Sequence, residues 1–250
     1  MDWRGTGFCG WDEASLALKR DREKQMEVDA AAMAVARRAG DAPNCTLGVD
    51  LATPVSPSAF QCLIETRGVQ FLVVRVFQSN CLIDPHAVAT IQAAWAAGMQ
   101  GVDVYFFPSV GCDMEPTLQF DVTMDHLLAN GVANFSTMWF DIETWEWAPP
   151  EQCSQNVEWF LPLYNHALEK LGAGRVGIYS LKSMWDDITC ADSTNFTSAK
   201  LWYARWDHQP SFANFTAFGS WTSPDSKQFT GNDFACDIHL DFDYRESGVC

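Results

Sequence analysis

Met138-Trp139-Phe140-Asp141-Ile142-Glu143-Thr144-Trp145 runs from apolar residues into two carboxylates two positions apart. On a β-strand successive side chains alternate faces, so Asp141 and Glu143 point one way while Phe140 and Ile142 point the other. Two acids on one wall beside tryptophan suit glycoside cleavage, which needs one carboxyl to hold a proton near neutral pH while the other stays charged. A D-x-E string is short, and its meaning depends on what surrounds it.

Outward from this stretch, strand-like runs alternate with helical ones from Cys45 onward. Apolar runs at 47–51, 71–77, 102–107, 137–143 and 176–180 are separated by gaps that hold helices, such as 84–97 and 153–171. After Lys200 the rhythm changes: 201–206, 217–221, 227–229 and 238–242 follow one another with Pro, Gly and Asn between them. The pattern predicts an α/β fold, an irregular TIM-like β/α barrel of five βα units followed by three strands with little helix between them. In such a barrel the active site lies at the carboxyl ends of the strands. Asp50 ends the first run, Asp103 lies early in the third, Asp141 and Glu143 end the fourth, and Asp241 and Asp243 end the last. If the sheet closes, Asp50, Asp141, Glu143 and Asp241 meet at one mouth.

Residues 1–44 differ: they are charged, Ala-rich and free of strand-like runs. Asp12 or Ser15 caps an expected helix through Arg38, ended by Gly40 and Pro43. The expected organisation is an N-terminal helical extension, 1–44, and a barrel domain, 45–250.

The chain has 250 residues, 48% of them hydrophobic, enough for one large core. No apolar run approaches the roughly 20 residues that span a bilayer. A net charge of −16 repels polyphosphates and argues against nucleic-acid binding. The nine cysteines form no C-x-x-C pair or zinc-like spacing, so disulfides are expected rather than a metal, and no cofactor is implied. Sequons at Asn44, Asn134, Asn195 and Asn214 fit an oxidising, glycosylating route, hence a secreted or lysosomal/phagosomal protein, although the first residues show no signal core.

The chain resembles glycoside hydrolase family 25, the Chalaropsis-type lysozymes, and most of all its nematode and protist lysozyme-like members. The residues that carry the resemblance are Gly48-Val49-Asp50-Leu51, Phe71-Leu72-Val73-Val74-Arg75, Val102-Asp103-Val104-Tyr105-Phe106-Phe107-Pro108, Trp139-Phe140-Asp141-Ile142-Glu143, Leu201-Trp202-Tyr203-Ala204 and Leu240-Asp241-Phe242-Asp243-Tyr244, in family order. The resemblance implies a monomeric muramidase that cuts the β-1,4 bond between N-acetylmuramic acid and N-acetylglucosamine of peptidoglycan. In it Glu143 is the general acid, Asp141 its charged partner, and Asp50 and Asp241 the flanking carboxylates. Tyr105, Phe107, Trp145, Tyr203, Arg75 and Asp243 form the expected substrate-binding set. One departure stands out: the family usually has Asn where this chain has Asp243. Same-face neighbours on a strand lie ~7 Å apart at Cβ, and with side chains free to bend this spacing does not decide between retention and inversion; attack by the substrate's own N-acetyl group favours net retention. A glycan-binding barrel without turnover and a chitinase-type hydrolase are the competing readings.

Overall fold

The computed structural model describes residues 45–246 except 100, 192 and 194. The expected N-terminal helix, Cys9, Asn44 and Cys250 lie outside the described residues. The described residues form nine strands: β1 (Cys45–Leu51), β2 (Phe71–Gln78), β3 (Leu82–Ile83), β4 (Gly101–Phe106), β5 (Met138–Asp141), β6 (Val176–Ser180), β7 (Lys200–Ala204), β8 (Ser226–Ala235) and β9 (Ile238–Glu246). They run β1-β9-β8-β7-β6-β5-β4-β2, and β1 pairs with β2 to close an eight-stranded barrel, as the sequence pattern predicts. From β1 round through β2, β4, β5, β6 and β7 to β8 the pairings are parallel, while β9 runs antiparallel to both of its neighbours. The two-residue β3 folds back on the end of β2 outside the barrel.

Each of the first five barrel strands is followed by a helix: α1 (Pro57–Cys62), α2 (Ala87–Ala96), α3 (Pro116–Ala129), α4 (Cys153–Leu171) and α5 (Lys182–Thr189). Their local causes are ordinary. Ser56 caps α1, its hydroxyl accepting from Ala59 N–H, and Pro57 supplies a preset first-turn φ. On α4, Asn156, Phe160, Leu163, Tyr164 and Ala167 recur at helical spacing and form its buried stripe. Among the described residues no helix is long and apolar enough to cross a membrane. The run 217–221 is not a strand: it closes on itself through one bridge between Phe218 and Trp221.

Strand alternation sorts the interior. Phe71, Val73, Trp139, Tyr179 and Trp202 form its buried cluster, with Tyr105 and Ala204 packed on it. Such rings fit only where a facing strand has no side chain. A Cβ on Gly48 would lie 2.2 Å from the Phe71 ring, and one on Gly177 would lie 2.2 Å from that of Trp139. Below them Asp103 binds Arg245 at 2.6 Å, Trp139 Nε1–H at 2.8 Å and Thr137 N–H at 3.0 Å. The Arg245 guanidinium stacks over Phe71, 3.9 Å from the ring centroid. Asp103 thus belongs to the barrel floor, away from the mouth.

Three disulfides tie the described residues together: Cys62–Cys236, Cys81–Cys112 and Cys153–Cys190. The first pins the β8–β9 hairpin to α1. That hairpin turns through Cys236 and Asp237, both at positive φ (52° and 62°), as a two-residue primed turn requires.

Candidate active site

The mouth gathers acids from strands far apart in sequence. Asp50 on β1 and Asp241 on β9 are direct partners in the β1–β9 register. Asp141 ends β5, and Glu143 stands two residues past the strand end, on the same side by alternation. Asp243 sits one inward position below Asp241. Asp50 and Asp141 are each only 7% exposed, and Glu143 is half-buried.

One uncharged side chain joins them. Gln228 of β8 donates from Nε2 to Asp50 Oδ2 at 2.8 Å and to Asp241 Oδ2 at 3.1 Å. Its Oε1 accepts from Tyr179 OH and Trp206 Nε1, both at 2.8 Å. The orientation is forced, because an indole N–H only donates and must face the amide oxygen. Tyr179 therefore gives its single hydroxyl proton to Gln228. The Tyr179 hydroxyl also lies within reach of Glu143, where it favours the ionised form of that carboxyl.

Burial, then the charge of Asp241, raises the Glu143 carboxyl above its ordinary value, against the hydrogen bond from Tyr179. Burial and Asp241 lift Asp50 to about 8, and burial lifts Asp241 to about 6 against its bond from Asn232 N–H. Asp141 departs from expectation. The sequence reading kept it ionised, but burial, then Glu143 and Asp50, push it well above the carboxylate range, with Arg75 opposing weakly. The reason is a shortage of donors: Asp141 Oδ1 is buried with no hydrogen-bond partner among the described residues.

The expected substrate-binding residues divide. Tyr105 faces inward, its ring 6.4 Å from Trp202, and burial with the charges of Asp141 and Asp50 raises its hydroxyl well above 10. Trp145 is 54% exposed and Phe107 half-buried beyond the end of β4. Arg75 pairs with buried Asp84 at 2.8 Å, not with an acid of the mouth. Two of the expected residues do not line the mouth. Tyr203 alternates outward from β7 and packs on Phe215 and Phe212 beneath the β7–β8 loop. Asp243 is 0% exposed, so it lies beneath the mouth and cannot reach a substrate. Of the other tryptophans, Trp206 is 54% exposed at the mouth, Trp147 is half-buried, and Trp202 and Trp221 are core.

Sequence reasoning missed Gln228 and Tyr179. The usable signal was alternation on β8, which places Ser226 and Gln228 on the face shared with Asp241 and Asp243.

A closed barrel with buried carboxyls of raised pKa at its carboxyl mouth, flanked by exposed tryptophans, is the architecture of a glycoside hydrolase. Comparison with known proteins gives the family. A family model described as "Lysozyme-like protein 1" matches residues 41–229. A probable GH family 25 lysozyme 4 of Dictyostelium discoideum is 34% identical over 80% of this chain and 91% of its own. The lysozyme-like protein 5 of Caenorhabditis elegans is 31% identical over 79% and 90%. A family GH25 lysozyme from Aspergillus fumigatus shares the fold at 18% identity, with a TM-score of 0.62 over 80% of this chain and 93% of that one. The chain belongs to the lysozyme-like branch of glycoside hydrolase family 25.

Proposed function

We propose that the protein is a secreted or lysosomal muramidase. It hydrolyses the β-1,4 bond between N-acetylmuramic acid and N-acetylglucosamine in peptidoglycan, with Glu143 as general acid. The observation that carries this reading is the half-buried Glu143 carboxyl at the barrel mouth, raised above its ordinary value by burial and the charge of Asp241. In the reaction Glu143 gives its proton to the leaving-group oxygen, and the mouth's remaining negative charge stabilises the oxocarbenium-like centre. Asp141, donor-poor and adjacent, orients the substrate's N-acetyl amide, whose oxygen attacks the anomeric carbon and gives net retention. NMR of the first-formed product shows the β-anomer on this reading; the α-anomer rejects it. Trp145 and Trp206 supply flat faces for sugar rings.

The barrel unit, 45–250, carries this activity. Secretion is supported by the three disulfides and by the sequons within the described residues. Asn134, Asn195 and Asn214 are all exposed, while the phenylalanines that follow them, Phe135, Phe196 and Phe215, are tucked inward. Turbidity loss of purified bacterial walls tests the substrate. Clearing of walls with no cleavage of chitin oligosaccharides supports the muramidase. Cleavage of chitin alone selects the chitinase reading, and binding without turnover at any pH selects the non-enzymatic one.

A further inference from the structure

Gln228 reaches Asp50 and Asp241 through one amide, and an amide has two ends. Its nitrogen donates and its oxygen accepts, so half a turn about the last side-chain bond exchanges them with almost no change of shape. Which end faces the acids is set by the partners at the other end. Tyr179 OH and Trp206 Nε1 both meet Oε1 at 2.8 Å. A hydroxyl donates or accepts and so fits either end of an amide, whereas an indole N–H only donates. Trp206 is therefore the group that fixes the amide with Nε2 toward Asp50 Oδ2 at 2.8 Å and Asp241 Oδ2 at 3.1 Å.

We propose that Trp206 is a positioning residue for catalysis as well as a face for sugar rings, its indole N–H holding the Gln228 donors on Asp50 and Asp241, and that Gly231 is the seat that keeps the ring in place. Although 54% exposed, Trp206 is held from three sides. Beneath it lies Gly231 of β8, where a Cβ would come within 2.3 Å of Cζ2 and 2.4 Å of Cε2 of the indole, so the ring lies down only on glycine. Along the chain, Arg205 N–H binds Gln228 O at 2.9 Å and His208 N–H binds Phe229 O at 3.0 Å, which ties the backbone on both sides of Trp206 to β8. Beyond it, the fully buried ammonium of Lys227 donates to Asp207 Oδ1 at 2.6 Å, Gln209 O at 2.9 Å and Ser211 O at 3.2 Å. All three of its protons are thus spent on the loop that follows Trp206.

The consequence is a link between the exposed wall and the charge at the mouth. Facing Asp50 are Asp241 and Asp243 of β9, Asp141 at the end of β5 and Glu143 past it. Facing Asp241 are Asp50, Glu143 and Asp233 of β8, with Asn232 N–H on its Oδ1 at 2.6 Å. In this acidic company the donors that meet a carboxylate are what keep it ionised. Once the indole N–H is lost, Oε1 is free to turn toward Asp50 and Asp241, and each can then face it only as a protonated acid. The negative charge that stabilises the oxocarbenium-like centre goes with it. The effect on turnover rests on the muramidase reading; the orientation of the amide does not.

Two readouts test this in Trp206→Phe, which keeps a flat ring and loses the N–H. The first needs no substrate: it follows the Gln228 side-chain amide protons by nitrogen-correlated NMR, assigned by their absence from Gln228→Met. In wild type these protons are expected to shift with pH as Asp50 and Asp241 titrate, and in Trp206→Phe that response is expected to be lost. The second is the pH profile of wall clearing. There kcat is expected to fall by about 10–10²-fold with little change in KM, and the limb on which activity is lost by acidification to move to higher pH. Gly231→Ala displaces the ring from below, at a residue that meets neither sugar nor acid, and is expected to move both readouts the same way. In a Gln228→Met background Trp206→Phe should shift the profile no further, since a residue acting through the amide has nothing left to orient. An unchanged amide response and an unchanged profile in folded Trp206→Phe, with only KM raised, overturn the proposal and leave Trp206 as a sugar face alone. If wild type clears no walls, the muramidase reading falls and the amide protons alone decide the orientation.

Discussion

The barrel interior buries aspartates at two levels, and they are treated in opposite ways. On the floor, Asp103 is saturated: a guanidinium, an indole N–H and a backbone N–H converge on its two oxygens. At the mouth, Asp50 and Asp241 share one amide, and one oxygen of Asp141 has no partner among the described residues. Arg75, whose charge reaches Asp141 weakly, is bound to Asp84. Burial alone does not mark a functional acid; burial without enough donors does, because the group must then keep or share a proton. The floor acid holds strands together, and the mouth acids stand ready to exchange protons.

The largest effect expected from breaking this contrast is at Glu143. Glu143→Gln removes the transferable proton and should lower wall-clearing turnover by about 10²–10⁴-fold, the usual worth of a general acid. Its thermal midpoint near pH 7 should be nearly unchanged, since a neutral amide replaces a carboxyl that already holds its proton. Next comes the floor. Asp103→Leu strands Arg245 in the interior and should cost about 3–5 kcal/mol in urea unfolding, as removal of one partner of a buried ion pair does. Third, Gln228→Met removes the amide that joins Asp50, Asp241, Tyr179 and Trp206. A loss of up to about 10²-fold in kcat is expected from misplaced acids, with a much smaller change in KM. If kcat holds while KM rises, Gln228 is a binding residue instead.

The contrast also predicts a pH dependence. A carboxyl raised in the folded state contributes fully to stability below its unfolded pKa near 4, and that contribution is lost as pH rises through the folded value. With Asp241 at about 6 and Asp50 at about 8, stability should fall as pH rises from 4 to 8, by at most about 1.4 kcal/mol per pH unit for each proton released. Calorimetric midpoints that instead rose across this range would show the cluster to be ionised in the folded state. Asp103→Leu should leave the slope in place.

Much of this architecture was legible in the chain because it rests on alternation and order. Runs of apolar residues located the strands, and acids at the ends of the first, fourth and last barrel strands gave the mouth once closure was assumed. What was not legible depends on depth and register. Alternation turns Asp243 inward, but only the β1–β9 register places it one layer beneath Asp241. Tyr203 looked like a mouth residue because it neighbours the strand end, yet its parity sends it outward under the β7–β8 loop. Gln228 and Tyr179 carry no chemical flag in sequence; their role comes from four hydrogen bonds between strands distant in the chain. The disulfide connectivity was open for the same reason, since Cys62 and Cys236 meet only after the hairpin folds back on α1.

The central claim is that Glu143 holds the proton that cleaves the glycan strand. Wild type and Glu143→Gln should be incubated with purified peptidoglycan, the products reduced, and the new reducing ends identified by mass spectrometry. The account predicts reduced N-acetylmuramic acid ends from wild type, with at least about 10²-fold fewer from the folded variant. Reduced N-acetylglucosamine ends, or equal release by the variant, would contradict it.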